Sequence, residues 1–249
     1  MDMQKRWNIL THDEKQCAVF AQALGVSEFT AGLLLHRGIS AVEEAKTFLQ
    51  PEKQVFYDPF LMKDMDQAVA RLQKAIEAKE KIVIYGDYDV DGITATTVLK
   101  RGLERLAANV EYYIPDRQTE GYGFNVEALQ RLADAGTDVL VSVDCGISAV
   151  QETACIAGEM ELIITDHHLP GEQLPSALAV VDPHRVDCTY PDKNLSGVGV
   201  EFKLCQALWQ TIRQEDYEAD LELVALGTVA DIVPLLGENR KIVSLGLQR

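Results

Sequence analysis

Asp87, Asp89 and Asp91 stand at alternate positions in Tyr85-Gly86-Asp87-Tyr88-Asp89-Val90-Asp91-Gly92, directly after the apolar run Ile82-Val83-Ile84. So much negative charge at the end of a buried strand is unfavourable unless something positive sits against it. A divalent cation is the simplest candidate. Three more short apolar runs end in acids or imidazoles: 139–143 runs into Asp144-Cys145-Gly146, 162–165 into Asp166-His167-His168, and 179–181 into Asp182-Pro183-His184. Asp231 is a lone acid in the apolar stretch 226–235, where a metal ligand explains the tolerated charge better than a turn does. Carboxylates and imidazoles without thiolates suit Mn²⁺, Mg²⁺ or Fe²⁺ rather than Zn²⁺. Their number points to two ions about 3.5–4 Å apart that share a bridging carboxylate, activate water and stabilise attacking and leaving oxygens. Asp144, alone at its strand end, is the candidate bridge, with Asp89 and Asp91 each facing a different ion. Neighbouring residues leaving a strand point to opposite sides, so one of His167 and His168 would ligate metal while the other faces substrate, with Asp166 orienting a histidine.

Two further stretches carry weaker signals. Ser196-Gly197-Val198-Gly199 precedes an apolar, helix-like run at 202–212, and the backbone N–H groups of Gly197 and Gly199 could meet a phosphate there. In Asp116-Arg117-Gln118-Thr119-Glu120-Gly121-Tyr122-Gly123, Arg117 could fork onto a phosphate and Tyr122 could stack on a base. Both stretches read equally well as ordinary loops.

The elements that must position these groups follow from patterning. Short apolar runs at 82–84, 110–114, 139–143, 162–165 and 179–181 alternate with candidate helices near 93–106, 125–135 and 148–157. This predicts an α/β fold with a mostly parallel sheet flanked by helices, whose ligands bind beyond the carboxyl ends of the strands. Asp64 opens a helix in which Met65, Val69, Leu72 and Ile76 share one face. Residues 1–60 read as a small N-terminal helical region without chemistry. One helix there, at 16–24, stops at Gly25. Ser27 caps a second with Phe29, Leu33 and Leu34 on one face, and Ser40 with Glu43 forms a capping box for a third that ends at Pro51. Residues 61–236 are expected to be the catalytic domain, and 237–249 the start of a linking helix.

Composition sets the outer limits. The 249 residues, 47% hydrophobic and 25% charged, are those of an ordinary globular protein. No apolar run approaches the roughly 20 residues of a membrane span, and residues 1–7 lack the apolar core of a signal peptide, so no membrane partner and a cytoplasmic location are expected. Five cysteines without a C-x-x-C pair argue against a disulfide framework or a Cys-based zinc site. A net charge of −16 opposes nucleic-acid binding by the bare surface, but bound divalent ions would invert the local field.

Asp87-Tyr88-Asp89-Val90-Asp91-Gly92, Asp144-Cys145-Gly146, Asp166-His167-His168 and Gly227-Thr228-Val229-Ala230-Asp231 together resemble the four ordered motifs of the DHH phosphoesterase superfamily. Within it the chain is most similar to the bacterial RecJ-type single-strand-specific exonucleases, with support from Ile114-Pro115-Asp116-Arg117, Gly121-Tyr122-Gly123, Ser196-Gly197-Val198-Gly199 and Arg37-Gly38-Ile39. The resemblance implies 5′-to-3′ degradation of single-stranded DNA to mononucleotides with Mn²⁺ or Mg²⁺, two ions in all, in repair and recombination. Single-strand-binding protein and a helicase would be partners. It implies Asp87, Asp89, Asp91, Asp144, His167 and Asp231 as metal ligands, His168 at the scissile phosphate, Asp144 and Asp166 in the catalytic set, and Arg117 at a 5′ phosphate. Such enzymes continue into a second, substrate-closing domain and an OB-fold, so the chain is read as the catalytic part of a longer protein. Three alternatives fit less well. Asp89-Val90-Asp91-Gly92-Ile93-Thr94 resembles the haloacid dehalogenase D-x-D-G-x-T, but Asp87 intervenes and the histidines would have no role. A small-substrate DHH phosphoesterase acting on oligonucleotides, cyclic dinucleotides or pyrophosphate usually has a histidine where Tyr85 stands. A non-catalytic DHH scaffold would lose ligands that are all present here.

Overall fold

Buried strands with no polar face favour parallel pairing under a layer of helices on each side. The computed structural model, which describes residue 11 and residues 13–249, has this arrangement; residues 1–7, considered above for a signal peptide, lie outside the described residues. Strands β1 (Lys81–Gly86), β2 (Asn109–Tyr113), β3 (Val139–Val143), β4 (Glu161–Thr165) and β5 (Ala179–Val181) form one parallel sheet in the order β2-β1-β3-β4-β5. Side chains alternate between two cores. Ile82, Ile84, Val139, Val141, Val143 and Ile163 face one, and Tyr85, Leu140, Leu162 and Ile164 the other.

The first core is covered by α4 (Met65–Ala78), α5 (Val90–Arg105), α8 (Gly197–Ile212), α9 (Leu221–Ala230) and α10 (Gly237–Gly246). The second is covered mainly by α6 (Val126–Asp134), with Ile147, Ala149 and Ile156 at the ends of α7 (Val150–Cys155). The face predicted for α4 is buried as expected: Met65, Val69, Leu72 and Ile76 all lie in the core. Asp64 occupies the N-cap position of α4, but its carboxylate accepts from Arg185 instead of capping the helix.

Register decides where the chemistry goes. Gly86 pairs with Val143, Val143 with Thr165, and Thr165 with Val181. The next residues in these four strands are Asp87, Asp144, Asp166 and Asp182, so four acids leave the sheet in one row. Strand order reverses between β1 and β3, which opens the crevice where such sheets bind ligands.

The described residues up to Gln54 and residues 55–249 form two compact units. The first contains α1 (Glu14–Leu24), α2 (Glu28–His36) and α3 (Val42–Leu49) around Cys17, Phe20, Ala31, Leu34 and Ala45. Gly25 ends α1 in the left-handed conformation, and the Ser27 hydroxyl caps α2 as expected. Of the predicted α2 face, Leu34 is buried as expected, but Phe29 and Leu33 are exposed, because the buried stripe runs through Ala31 and Leu34, three residues apart. The Ser40 capping box is corrected too, since the N-cap is Ala41 and makes no side-chain cap bond. The unit boundary falls at Gln54, ahead of the expected 60. A helix, α10, does begin at Gly237, and its Ile242 and Val243 are buried in the core of the second unit.

Candidate metal centre

Asp87 emerges directly from β1, and the chain then turns at once into α5. The Asp89 carboxylate is the N-cap, accepting the Gly92 N–H at 2.9 Å, and Asp91 lies in the first helical turn. The expected start of this helix at 93 is therefore corrected to Val90: two of the three acids belong to a helix terminus, where the helix dipole favours them. The turn is tight enough that a Cβ on Gly92 would stand 2.6 Å from the Asp87 carbonyl oxygen. Asp91 is held from the opposite side by the first turn of α8, with Gly197 N–H on Oδ2 at 2.7 Å and Val198 N–H on Oδ1 at 2.9 Å. Asp144 adopts φ 60°, left-handed backbone that costs a non-glycine residue about 1–2 kcal/mol and that persists where function requires it. Asp231 is the C-cap of the apolar helix α9, at the negative end of its dipole, where a carboxylate is disfavoured without a cation.

These side chains converge. Donor atoms of Asp87, Asp89 and Asp144 lie within 4.8 Å of one another, as do those of Asp91, His167 and Asp231 and those of Asp144, His167 and His168. His167 Nε2 stands 3.1 Å from Asp144 Oδ1, 3.7 Å from Asp231 Oδ2 and 3.8 Å from Asp91 Oδ2. Asp144 thus sits between the two sets, as a bridging carboxylate would.

Buried polar atoms normally find partners, yet Asp87 Oδ1, Asp144 Oδ1, His167 Nε2 and Asp231 Oδ2 are buried with none. Burial, reinforced by Asp166 and Asp89, pushes Asp144 up to about 9. Burial and the neighbouring Asp144 push Asp91 up to about 7. Burial also raises Asp87 and Asp231. Orphaned donors, mutually repelling carboxylates and a hard oxygen–imidazole donor set all fit divalent cations of the Mn²⁺ or Mg²⁺ type.

The two histidines do not point to opposite sides. Their ring centroids are 4.4 Å apart, because both lie in the loop after β4 where strand pleating no longer applies. Burial separates them instead: His167 is enclosed among the carboxylates and His168 is 47% exposed. Asp166 organises the pair. Its Oδ1 accepts from the backbone of His167 at 2.8 Å and from His168 Nδ1 at 2.7 Å, and its Oδ2 accepts from Ile147 at 2.9 Å. Burial alone would raise Asp166, but the bonds from His168 and the backbone hold it below the usual carboxylate range. In return, the Asp166 hydrogen bond lifts His168 to about 9.

The remaining candidates divide. The phosphate reading of Gly197 and Gly199 is corrected. Helix α8 starts at Gly197 rather than 202, its Gly197 and Val198 N–H groups are taken by Asp91, and the Gly199 N–H points to Ser196 Oγ. Arg117 lies over the Tyr88 ring at 5.0 Å, and its charge favours the ionised form of Asp87. Tyr122 packs edge-on to His168 at 6.2 Å and, with Phe124, Ser148 and Glu152, lines a cavity of about 280 Å³ that reaches Asp166. Asp182 and His184 join none of the donor groups found among the described residues; Asp182 accepts the His184 N–H at 2.6 Å.

Glu201 was missed by the sequence reading. It is fully buried on α8 and hydrogen-bonded to Thr165. Burial, with the added field of Asp144, Asp91 and Asp166, pushes its carboxyl well above the ordinary range. The signal was available, because Glu201 is a lone acid in an apolar run, the criterion that marked Asp231.

Known proteins share this arrangement. The N-terminal domain of the DHH family matches residues 81–228. The single-stranded-DNA-specific exonuclease RecJ of Bacillus subtilis is 46% identical over 98% of this chain and 31% of its own length. RecJ of Thermus thermophilus is 36% identical over 98% of this chain and 35% of its own length. The crystal structure of Thermus thermophilus RecJ in complex with Mn²⁺ superposes with a TM-score of 0.79 and 33% identity, covering all of this chain and 35% of that one. The chain therefore spans about a third of the length of these relatives. With more than half of its residues matched by the family's N-terminal domain and the acids and histidines gathered in one crevice, the chain belongs to the DHH family.

Proposed function

We propose that this chain is the metal-binding catalytic part of a RecJ-type exonuclease that hydrolyses single-stranded DNA from its 5′ end and releases mononucleotides. The observation that carries the reading is the set of unpartnered, buried donor atoms gathered on both sides of Asp144. Asp87, Asp89 and Asp144 would hold one Mn²⁺ or Mg²⁺ ion, and Asp91, His167 and Asp231, with Asp144, the other. Bound ions supply Lewis-acid stabilisation of phosphoryl charge and a nucleophile from water at neutral pH. The chain's own residues do the rest. Asp166 keeps His168 protonated and fixes its ring through Nδ1, which leaves Nε2 free to donate to a phosphate oxygen. Arg117 offers a guanidinium beside Asp87 for a terminal phosphate, and Tyr122 an exposed ring for a base.

The RecJ likeness supports repair and recombination as the setting and single-strand-binding protein or a helicase as partners; a cytoplasmic location is proposed from the sequence, which has no membrane-spanning apolar run and no signal-peptide core at residues 1–7. Among the described residues no single helix is long and apolar enough to cross a membrane. The small-substrate reading gains nothing from Tyr85, whose ring is buried in the second core and whose hydroxyl donates to the Gly123 carbonyl, away from the centre. Digestion of 5′- and 3′-labelled single and double strands with Mn²⁺, Mg²⁺ or EDTA tests the proposal on the full-length protein. Metal-dependent loss of the 5′ label from single strands is expected. Degradation from the 3′ end, or persistence in EDTA, would overturn it.

A further inference from the structure

Glu201 sits where three parts of the centre meet. It lies on the inner face of α8, four and three residues after Gly197 and Val198, the residues whose N–H groups hold Asp91. Positions so spaced share a helix face. Its carboxyl meets the Thr165 hydroxyl at the end of β4, and Thr165 Oγ1 in turn reaches the Ser142 carbonyl oxygen of β3. Ser142 is two residues before Asp144, and Thr165 immediately precedes Asp166 and His167.

The polarity of this chain of hydrogen bonds is fixed by proton counting. A carbonyl oxygen can only accept, so the single hydroxyl proton of Thr165 goes to Ser142. Thr165 Oγ1 is then an acceptor toward Glu201, and the contact is a hydrogen bond only if Glu201 donates. A carboxylate has no proton to give; a carboxylic acid does. We infer that Glu201 is a neutral carboxylic acid that acts as a positioning residue, tying α8, and through it Asp91, to the ends of β3 and β4 that carry Asp144 and His167. No hydrogen bond joins it to a proposed metal ligand among the described residues. It sets the spacing between the helix-borne and strand-borne halves of the centre without adding another negative charge beneath it. The inference rests on the metal-centre reading for its consequence, whereas the neutrality of Glu201 stands on hydrogen-bond polarity alone.

The test uses E201Q, E201A and T165V in the 249-residue chain. Glutamine keeps the shape and donates to Thr165 without charge; alanine removes the tie. Calorimetric Mn²⁺ titration at a temperature where all variants are folded, as judged by circular dichroism in EDTA, should leave E201Q within about twofold of the parent. E201A should bind about tenfold more weakly, the scale of losing a partner that orients ligands. E201A combined with T165V should lose little more than either alone, because both cut one connection. The infrared difference between parent and E201Q at neutral pH should contain a carboxylic-acid C=O band. E201Q as weak as E201A, or a carboxylate band in place of the acid band, would overturn the neutral donor. E201A with parental Mn²⁺ affinity would overturn the positioning role. A parent chain that binds no Mn²⁺ would instead sink the metal-centre reading, and the infrared result would still decide the charge of Glu201.

Discussion

Gly197 lies so close to Asp144 that a Cβ on the glycine would stand 2.6 Å from Oδ1 and 2.7 Å from Cγ. The first turn of α8 therefore touches both halves of the centre: its N–H groups hold Asp91 and its bare Cα abuts Asp144. Gly197→Ala should push the bridging carboxylate aside. Destabilisation of about 1–3 kcal/mol is expected from overpacking, together with at least a tenfold loss of Mn²⁺ affinity. Urea unfolding and Mn²⁺ titration measure the two effects, and unchanged affinity would mean that the position of Asp144 is not set by α8.

Metal removal should make stability pH-dependent in a definite direction. Asp144 at about 9 and Asp91 at about 7 stay protonated in the folded, metal-free chain at pH values where the unfolded chain has ionised them. The folded state then binds more protons, so stability falls as pH rises from the ordinary carboxylate range toward 9. In EDTA the Tm should drop by several degrees between about pH 5 and 9, and Mn²⁺ should restore most where the drop is largest. A flat profile in EDTA would contradict the crowding of these acids.

Asp144→Asn should separate function from stability. Asparagine tolerates the left-handed backbone at this position and is neutral without taking up a proton on folding, so the metal-free chain should gain about 1 kcal/mol or more at about pH 8 by thermal unfolding. Hydrolysis by the full-length protein should fall at least about 1,000-fold, because a bridge serves both ions. Retained turnover would exclude the two-ion arrangement.

Away from the centre, Asp220 is buried against Arg105, Arg101 and the Tyr217 hydroxyl. Burial would raise it, but the bonds from Arg105 and Tyr217 win and hold it below the usual range. Its contribution is present above the unfolded carboxylate pKa and lost as pH falls through the folded one. Asp220→Asn should cost about 2 kcal/mol near neutral pH, the scale of a charged hydrogen bond. The difference from the parent should shrink below about pH 4, as chemical unfolding at each pH would show.

Strand cores and strand ends were legible because they depend on pattern alone. Apolar runs at 139–143 and 162–165 are strands in parallel register, and the acids that follow them fall into line. What escaped notice depends on backbone conformation and on partners far along the chain. Asp89 reads as a loop ligand in the sequence, yet it also caps a helix, since the cap bond needs only a following N–H. The histidine pair resists a pleat rule because the strand ends before it. Gly197 looks like a phosphate loop, and only the arrival of Asp91 from α5 shows what its N–H serves.

Donors arrive from Asp87, just after the first strand, through to Asp231, which closes the ninth helix. No shorter stretch contains a full set. A chain still leaving the ribosome, or one cut before residue 231, has crowded acids but no completed cage. On the proposed reading such a chain would be hydrolytically silent, and ion capture would report that the sheet and the helices up to α9 have come together.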